Sequence, residues 1–169
     1  MVSIDELKKI FLLQNLTDKM LEKIVPQTRL LQFGEREIIF EEGAKAENFY
    51  MLKKGKVLLE VEVSKRMTIS LGSVKSGYSF GWSALVSGPS HTSHAVCAEP
   101  SDVFALPGEK LREILEGTPL MGYRVMAFAA TILKNRLERR TSQLLKVIAN
   151  HPDMQKLLGS PSEEELPPG

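Results

Sequence analysis

The sequence predicts a mainly β domain with flanking helices: a jelly roll (double-stranded β-helix) followed by a long C-terminal helix. Between residues 27 and 106, short apolar runs alternate with glycine-containing turns, which is typical of about eight strands in a jelly roll or barrel. From Pro107 the apolar residues recur every three or four positions, the period of a helix. The chain is therefore divided into N-terminal helices (1–26), the jelly roll (27–106), C-terminal helices (107–150) and a short helix with a disordered acidic tail (151–169).

Two helices are predicted before the first strand. Ser3 and Glu6 have the spacing of a capping box, in which each residue bonds the backbone amide of the other. Thr17 is placed to cap a second helix over residues 18–25, which Pro26 ends.

The strands are predicted from alternation and from glycines. From Val57 to Val63, apolar residues alternate with positions that are mostly acidic, which indicates a half-buried strand. Gly43, Gly55 and Gly77 follow apolar runs, at points where tight turns favour a positive φ. We expect these three glycines to form the turns and not to take part in ligand binding.

The stretch from Gly77 to Ala98 predicts a site for an anion. A tight turn at Gly81 leads into one or two helical turns over residues 82–86, and a strand follows a second turn at Gly88-Pro89. A helix that begins directly after a glycine has backbone N–H groups without intrahelical acceptors, and these favour a negative group. Small or hydroxyl-bearing side chains leave room for a ligand and offer hydrogen bonds: Ser83, Ala84, Thr92 and Ser93.

This stretch resembles the phosphate-binding cassette of cyclic nucleotide-binding domains in the catabolite activator protein superfamily. The similarity lies in Phe80-Gly81-Trp82-Ser83-Ala84-Leu85 and Thr92-Ser93-His94-Ala95, and it extends to the hairpins Phe40–Glu47 and Phe49–Val57. The resemblance implies a ligand that is a cyclic nucleotide or a related phosphorylated molecule. The implied ligand-binding residues are Phe80, Gly81, Trp82, Ser83, Ala84, Leu85, Thr92, Ser93 and, on the long helix, Arg136.

Two residues depart from the family pattern. The family glutamate that holds the ribose aligns with Trp82, and the family arginine that neutralises the phosphate aligns with Thr92. Trp82 has two interpretations: its indole stacks on a planar ligand, or it fills the space that a ligand needs. Arg136 also has two: it supplies the missing charge, or it is a solvated or interface charge on the helix.

Two C-terminal helices are predicted. Pro107 opens the first, which runs to Glu116, and a long second helix lasts from Thr118-Pro119 to Asn150. In the family this helix builds a homodimer interface, whereas a helix that lies on its own barrel is the alternative. The apolar stripe behind both interpretations is Met126, Ala129 or Ala130, Leu133, Leu137, Leu144 and Ile148.

Composition restricts the class of protein. The net charge of +1 creates no field that attracts nucleic acid or a membrane, and the single cysteine excludes an internal disulfide and fits the cytoplasm. No apolar run approaches a membrane span, and too few residues follow the long helix for a helix-turn-helix domain, so we expect no DNA binding by this chain. No residue lies in a motif that activates a nucleophile, so we expect no enzyme.

A metal site is not expected either. His91, His94 and Cys97 are close in sequence, and a metal or haem site is one interpretation of them. On a strand, however, residues three apart point to opposite faces, and further ligands are lacking nearby. We therefore expect a regulatory sensor that signals to a separate partner protein; the competing hypothesis is a ligand-free dimerisation or scaffold module.

Overall fold

The computed structural model describes residues 2–64, 67–86 and 88–158. The predicted disordered tail, residues 159–169, lies outside the described residues. The chain forms two compact units, Met1–Phe128 and Ala129–Gly169.

Two short helices begin the first unit, α1 (Ile4–Leu7) and α2 (Asp18–Ile24). The predicted capping box is confirmed, because the Glu6 amide donates to the Ser3 hydroxyl and the Ser3 amide donates to the Glu6 carboxylate. Thr17 caps α2 by accepting from the amide of Met20. Helix α2 ends before Val25, where a 3-10 turn containing Pro26 follows.

Eight strands, among the residues that the structure describes, form two antiparallel four-stranded sheets, and this confirms the predicted jelly roll. The sheet orders are β1-β8-β3-β6 and β2-β7-β4-β5. The strands are β1 (Arg29–Phe33), β2 (Ile38–Phe40), β3 (Asn48–Lys54), β4 (Lys56–Ser64), β5 (Met67–Lys75), β6 (Ser79–Phe80), β7 (His94–Cys97) and β8 (Ser101–Pro107).

The two faces of β3 separate two parts of the core. Tyr50 and Leu52 belong to the cluster that fills the interior between the sheets, together with Phe80, Ala95 and Cys97. Phe49 and Met51 point to the opposite face, because side chains alternate along a strand. They are buried there outside the interior cluster. Helical residues such as Leu7, Leu21 and Leu111 are buried as well, which indicates that the helices of this unit cover that face.

Three helices follow the last strand: α3 (Gly108–Glu116), α4 (Pro119–Ala149) and α5 (Pro152–Leu158). The prediction that Pro107 lies in the first turn of a helix is wrong by one residue. Pro107 ends β8, where it pairs with Asn48, and it is the N-cap of α3. Within the described part of the chain, no helix has the length and apolar character needed to cross a bilayer.

Candidate functional site

The cassette backbone is shaped by Gly81. Its φ of 71° and ψ of 35° are left-handed, and a Cβ there would lie 2.9 Å from the ring of Tyr50. A side chain at this position would therefore be strained by the backbone and blocked by the β3 aromatic ring. The glycine lets the chain leave β6 and turn at once into the 3-10 helix Trp82–Ala84.

The hydrogen bonds of this turn limit which amides can face a ligand. The amide of Ala84 donates to the carbonyl of Gly81 at 3.1 Å, and that of Leu85 donates to the carbonyl of Trp82 at 3.0 Å. The amide of Ala84 is therefore bonded within the turn and is not available to an anion in this conformation. Ser83, in the first turn, has no intrahelical acceptor for its amide.

The loop after the turn folds back onto Ser83. The Gly88 amide donates to the Ser83 carbonyl at 2.7 Å, and a Cβ on Gly88 would lie 3.0 Å from the Ser83 Cβ. The predicted helical segment over 82–86 is thus a shorter 3-10 turn closed by this loop.

Trp82 packs away from the barrel interior. Its ring meets Phe49 edge-on, with centroids 5.2 Å apart and an interplanar angle of 72°. Phe49 lies on the face of β3 opposite to Tyr50, so the indole lies with the residues on the helix-covered face. The indole therefore does not occupy the barrel interior in this conformation, and both interpretations of Trp82, stacking on a ligand or filling the space that a ligand needs, stay predictions.

The interior beside Gly81 is filled by His91. Its imidazole stacks on Phe40 at 3.6 Å with an angle of 12°, and its Cε1 lies 3.6 Å from where a Gly81 Cβ would be. Phe40 also contacts Tyr50 and Phe80, with ring centroids 5.4 and 6.0 Å apart. Burial in this aromatic cluster lowers the pKa of His91, because the charged imidazolium is poorly solvated there.

Sequence reasoning placed His91 on a strand, which is wrong. It precedes β7 in a loop whose backbone pairs with residues 43 and 44: the His91 amide donates to Ala44, and the Gly43 amide donates to His91. His94, on β7, accepts at Nδ1 from the amide of Glu42 at 3.2 Å. The Gly88-Pro89 dipeptide, a turn signal just before His91, is the sequence feature from which a loop at His91 could have been predicted. No group of three potential metal ligands occurs among the described residues.

The remaining predicted site residues are distributed as follows. Phe80, Ala84 and Leu85 are buried, Ser93 is buried next to His91, and Thr92 is exposed. Arg136 belongs to the second unit, where it is half-buried on α4. Burial first, and then Arg140 and Arg139, lower the pKa of Arg136. Its role as a ligand contact stays a prediction.

Two residues of α3 that the sequence did not single out hold the end of the cassette. The Arg112 guanidinium donates to the carbonyl of Ala84. A Cβ on Gly108 would lie 2.4 Å from the same carbonyl oxygen, so only glycine allows this approach. The cassette and α3 are therefore joined at the carbonyl of Ala84.

The family model for the cyclic nucleotide-binding domain matches residues 30–118. A protein from Geobacter metallireducens GS-15, named as a cyclic nucleotide-binding protein, is similar in structure, with a TM-score of 0.71 and 30% identity. That alignment covers 81% of this chain and 99% of the Geobacter protein.

More distant structures share the fold. The Thermus thermophilus catabolite activator protein is similar with a TM-score of 0.67 and 20% identity, over 80% of this chain and 62% of that one. The regulatory domain of Toxoplasma gondii PKA, solved with cAMP, has a TM-score of 0.65 and 16% identity, over 77% and 48%. No curated protein matches the sequence.

Proposed function

This chain belongs to the cyclic nucleotide-binding domain family, and we propose that it is a regulatory sensor of a cyclic nucleotide or a related phosphorylated ligand. The ligand binds against the cassette, and the response passes through α3 and α4 to a separate partner protein. We also propose that the protein is cytoplasmic and that it binds its ligand without catalysing a reaction.

The observation that carries this proposal is the left-handed turn at Gly81. Gly81 is the glycine of the segment that resembles the family's phosphate-binding cassette. It lies within residues 30–118, which the family model matches. The Ser83 amide lies at the start of the turn that follows, and His91, which directly precedes Thr92 and Ser93 in the chain, lies beside Gly81. The Ser83 amide and the two hydroxyls suit the oxygens of a phosphate.

The missing charges lower the expected affinity. Without an arginine at position 92, one charge-assisted hydrogen bond worth about 1.5–3 kcal/mol is lost, which is roughly a tenfold to hundredfold loss of affinity. The carboxylate that would hold the ribose is absent as well, because Trp82 stands in its place. We therefore propose weaker binding than that of a cassette with both charges.

We propose that His91 takes the place of the lost arginine as the positive charge at the site. Its imidazole lies beside Gly81, at the cassette, and it is neutral when buried on Phe40. An anion bound within about 4–6 Å would raise the pKa of this imidazole and favour the imidazolium. His91 then supplies a positive charge only when the site is occupied, and it must leave Phe40 or be solvated to do so.

The homodimer surface that we propose is the apolar stripe of α4. Leu137, Leu144 and Ile148 are 68%, 59% and 40% exposed, although they are large apolar residues on one helix. Exposed apolar stripes of this kind favour a partner helix, and the simplest partner is a second copy of the chain. A ligand moves this helix only by binding one arrangement better than the other.

The test is thermal melting of the full chain with a panel of cyclic mono- and dinucleotides. A ligand at 100 times its Kd adds about 2.7 kcal/mol, or roughly 5–10 °C in Tm. We expect Thr92→Arg, which restores the family's positive charge at an exposed position, to tighten binding roughly tenfold or more. Thr68→Arg, also exposed but on β5, is the matched control and should leave affinity unchanged.

The alternative is a dimerisation or scaffold module without a ligand. The observation that favours it is the aromatic cluster of Phe40, Tyr50, Phe80 and His91, which fills the interior beside the cassette. If no nucleotide in the panel changes the Tm of either the natural chain or Thr92→Arg, the sensor proposal is rejected and this alternative stands.

A further inference from the structure

We propose that a second cavity, between the N-terminal segment and the end of β3, binds a small dianion with a short apolar body. A phosphate monoester and a dicarboxylate share this chemistry. The cavity has a volume of about 300 Å³ and is lined by Glu6, Lys9, Ile10, Lys53, Lys54 and Gly77. That volume is at the lower end of small-molecule sites, so a compact ligand fits.

This cavity is distinct from the cassette. Lys53 and Lys54 end β3, whereas Gly81 approaches the carbonyl of Asn48, at the start of the same strand. A seven-residue strand is roughly 20 Å long, so the two sites lie at opposite ends of β3.

Only one of the three lysines in the cavity wall is neutralised. Lys53 Nζ lies 2.8 Å from Glu6 Oε1, and the other carboxylate oxygen of Glu6 accepts from the amide and hydroxyl of Ser3. These contacts lower the pKa of Glu6 to about 2, so it stays ionised. Among the described residues, Lys9 and Lys54 form no ion pair. The cavity lining therefore carries three lysines and one carboxylate, and two of the lysines have no ion-pair partner among the described residues.

The neighbouring turns add more positive charge. Lys56 and Lys75 are direct cross-strand partners in the β4–β5 pair, an arrangement of like charges that destabilises a sheet. The Ser76 hydroxyl donates to the Gly55 carbonyl and so joins the turns that carry these lysines. Asp102, the other acidic group that acts on Lys53, already accepts a hydrogen bond from Gln32 at 3.0 Å.

The backbone fixes the wall in place. The Phe11 amide donates to the Gly77 carbonyl at 2.9 Å, and a Cβ on Gly77 would lie 3.1 Å from the Phe11 ring. Ile10 is almost fully buried, and it provides an apolar surface beside the lysines. The lining therefore combines fixed walls, an apolar surface and an excess of lysines over carboxylates, which suits a negatively charged ligand with a small apolar part.

The test is a nuclear magnetic resonance titration of the full chain with glycerol 3-phosphate and, separately, with succinate. We expect saturable shifts of the Ile10, Lys54 and Gly77 amide signals with at least one of these probes, and the better probe identifies the anion class. The double variant Lys9→Gln/Lys54→Gln should bind about tenfold more weakly, because it removes two partly solvated charge contacts. Both residues are exposed, so the fold is retained.

Two controls separate this site from a general charge effect and from the cassette. Lys134→Gln/Lys146→Gln removes the same two charges from α4, and Thr92→Arg alters the cassette; both should leave the shifts of the Ile10, Lys54 and Gly77 signals unchanged. Equal affinity in the double variant, or shifts with both probes that sodium chloride of matched ionic strength reproduces, would overturn the proposal. Neither result bears on nucleotide binding at the cassette.

Discussion

At the scale of single residues, His91 connects the stability of the barrel to pH. An unfolded histidine has a pKa near 6.5, and burial against Phe40 lowers the pKa in the folded chain. Below pH 6.5 the unfolded state therefore binds more protons than the folded state. The stabilising effect of the neutral imidazole is complete above this pH and is lost progressively as the pH falls below it.

We expect His91→Phe to remove this pH dependence, because phenylalanine can stack on Phe40 but cannot titrate. Urea unfolding at pH 7.5 and 5.5 measures the difference in the free energy of unfolding for each variant. The control is His151→Phe, an exposed position, which should keep the difference seen in the natural chain. A difference that persists in His91→Phe would show that another group is responsible.

A second residue-scale prediction concerns the ligand. If an anion raises the pKa of His91, binding takes up a proton, and affinity must increase as the pH falls from about 7.5 to 5.5. Calorimetry in two buffers of different ionisation enthalpy measures that proton directly. In His91→Phe we expect neither the proton uptake nor the pH dependence of Kd, and their survival would assign the charge to a different group.

The sequence predicted the residues that shape the cassette better than the residues that fill it. Gly43, Gly55, Gly77 and Gly81 all have positive φ, as their turn positions indicated, since that requirement is local. The contacts of Trp82 and His91 were not predictable, because both depend on which face of β3 each ring reaches. That choice is made by packing against residues more than thirty positions away in the chain.

At the scale of elements, the junction between the cassette and α3 is the link through which a ligand can act. Arg112 and Gly108 both meet the carbonyl of Ala84, the last residue of the 3-10 turn. A change in the conformation of that turn would therefore displace the contacts that it makes with α3. Two residues separate the end of α3 from the start of α4.

We expect Arg112→Met to lower the free energy of unfolding by about 1–2 kcal/mol, because a hydrogen bond from a charged, half-buried donor is lost while the stem still packs. Lys110→Met, on the same helix, removes an exposed ion pair with Glu113 and should change stability by less than about 0.5 kcal/mol. Denaturant unfolding of both variants measures this. Equal effects would mean that Arg112 does not hold the cassette.

At this scale, the sequence predicts the type of each element better than the residue at which one element ends and the next begins. The helix after the barrel was predicted from its period, but Pro107 was assigned to it because proline favours first turns. The structure uses Pro107 as the last β8 residue instead, since it pairs with Asn48 at the strand end, where a missing N–H is tolerated. Proline is favourable both in the first turn of a helix and at the end of a strand, so its presence alone does not decide between these two positions.

At the scale of the whole molecule, the long helix carries a charge within its apolar stripe. Its residues Ala130, Leu133, Leu137 and Leu144 follow alternating steps of three and four residues when Arg140 is included, which is the spacing of a coiled-coil seam, and Val147, next to Ile148, continues it. All six positions are exposed. In a parallel homodimer the two copies of Arg140 would face each other, with Arg136 on the flanking position.

We therefore expect Arg140→Leu to strengthen homodimerisation by about tenfold or more, because two charges leave the seam and two apolar side chains are buried in their place. Sedimentation equilibrium of the full chain measures the dissociation constant. Leu137→Glu, in the same stripe, should have the opposite effect and yield monomers, whereas Lys134→Leu, which replaces an exposed cation at the edge of the stripe, should change the constant less than Arg140→Leu. If Arg140→Leu leaves the constant unchanged and Leu137→Glu still dimerises, the stripe is not the dimer interface, and a partner of another kind must cover it.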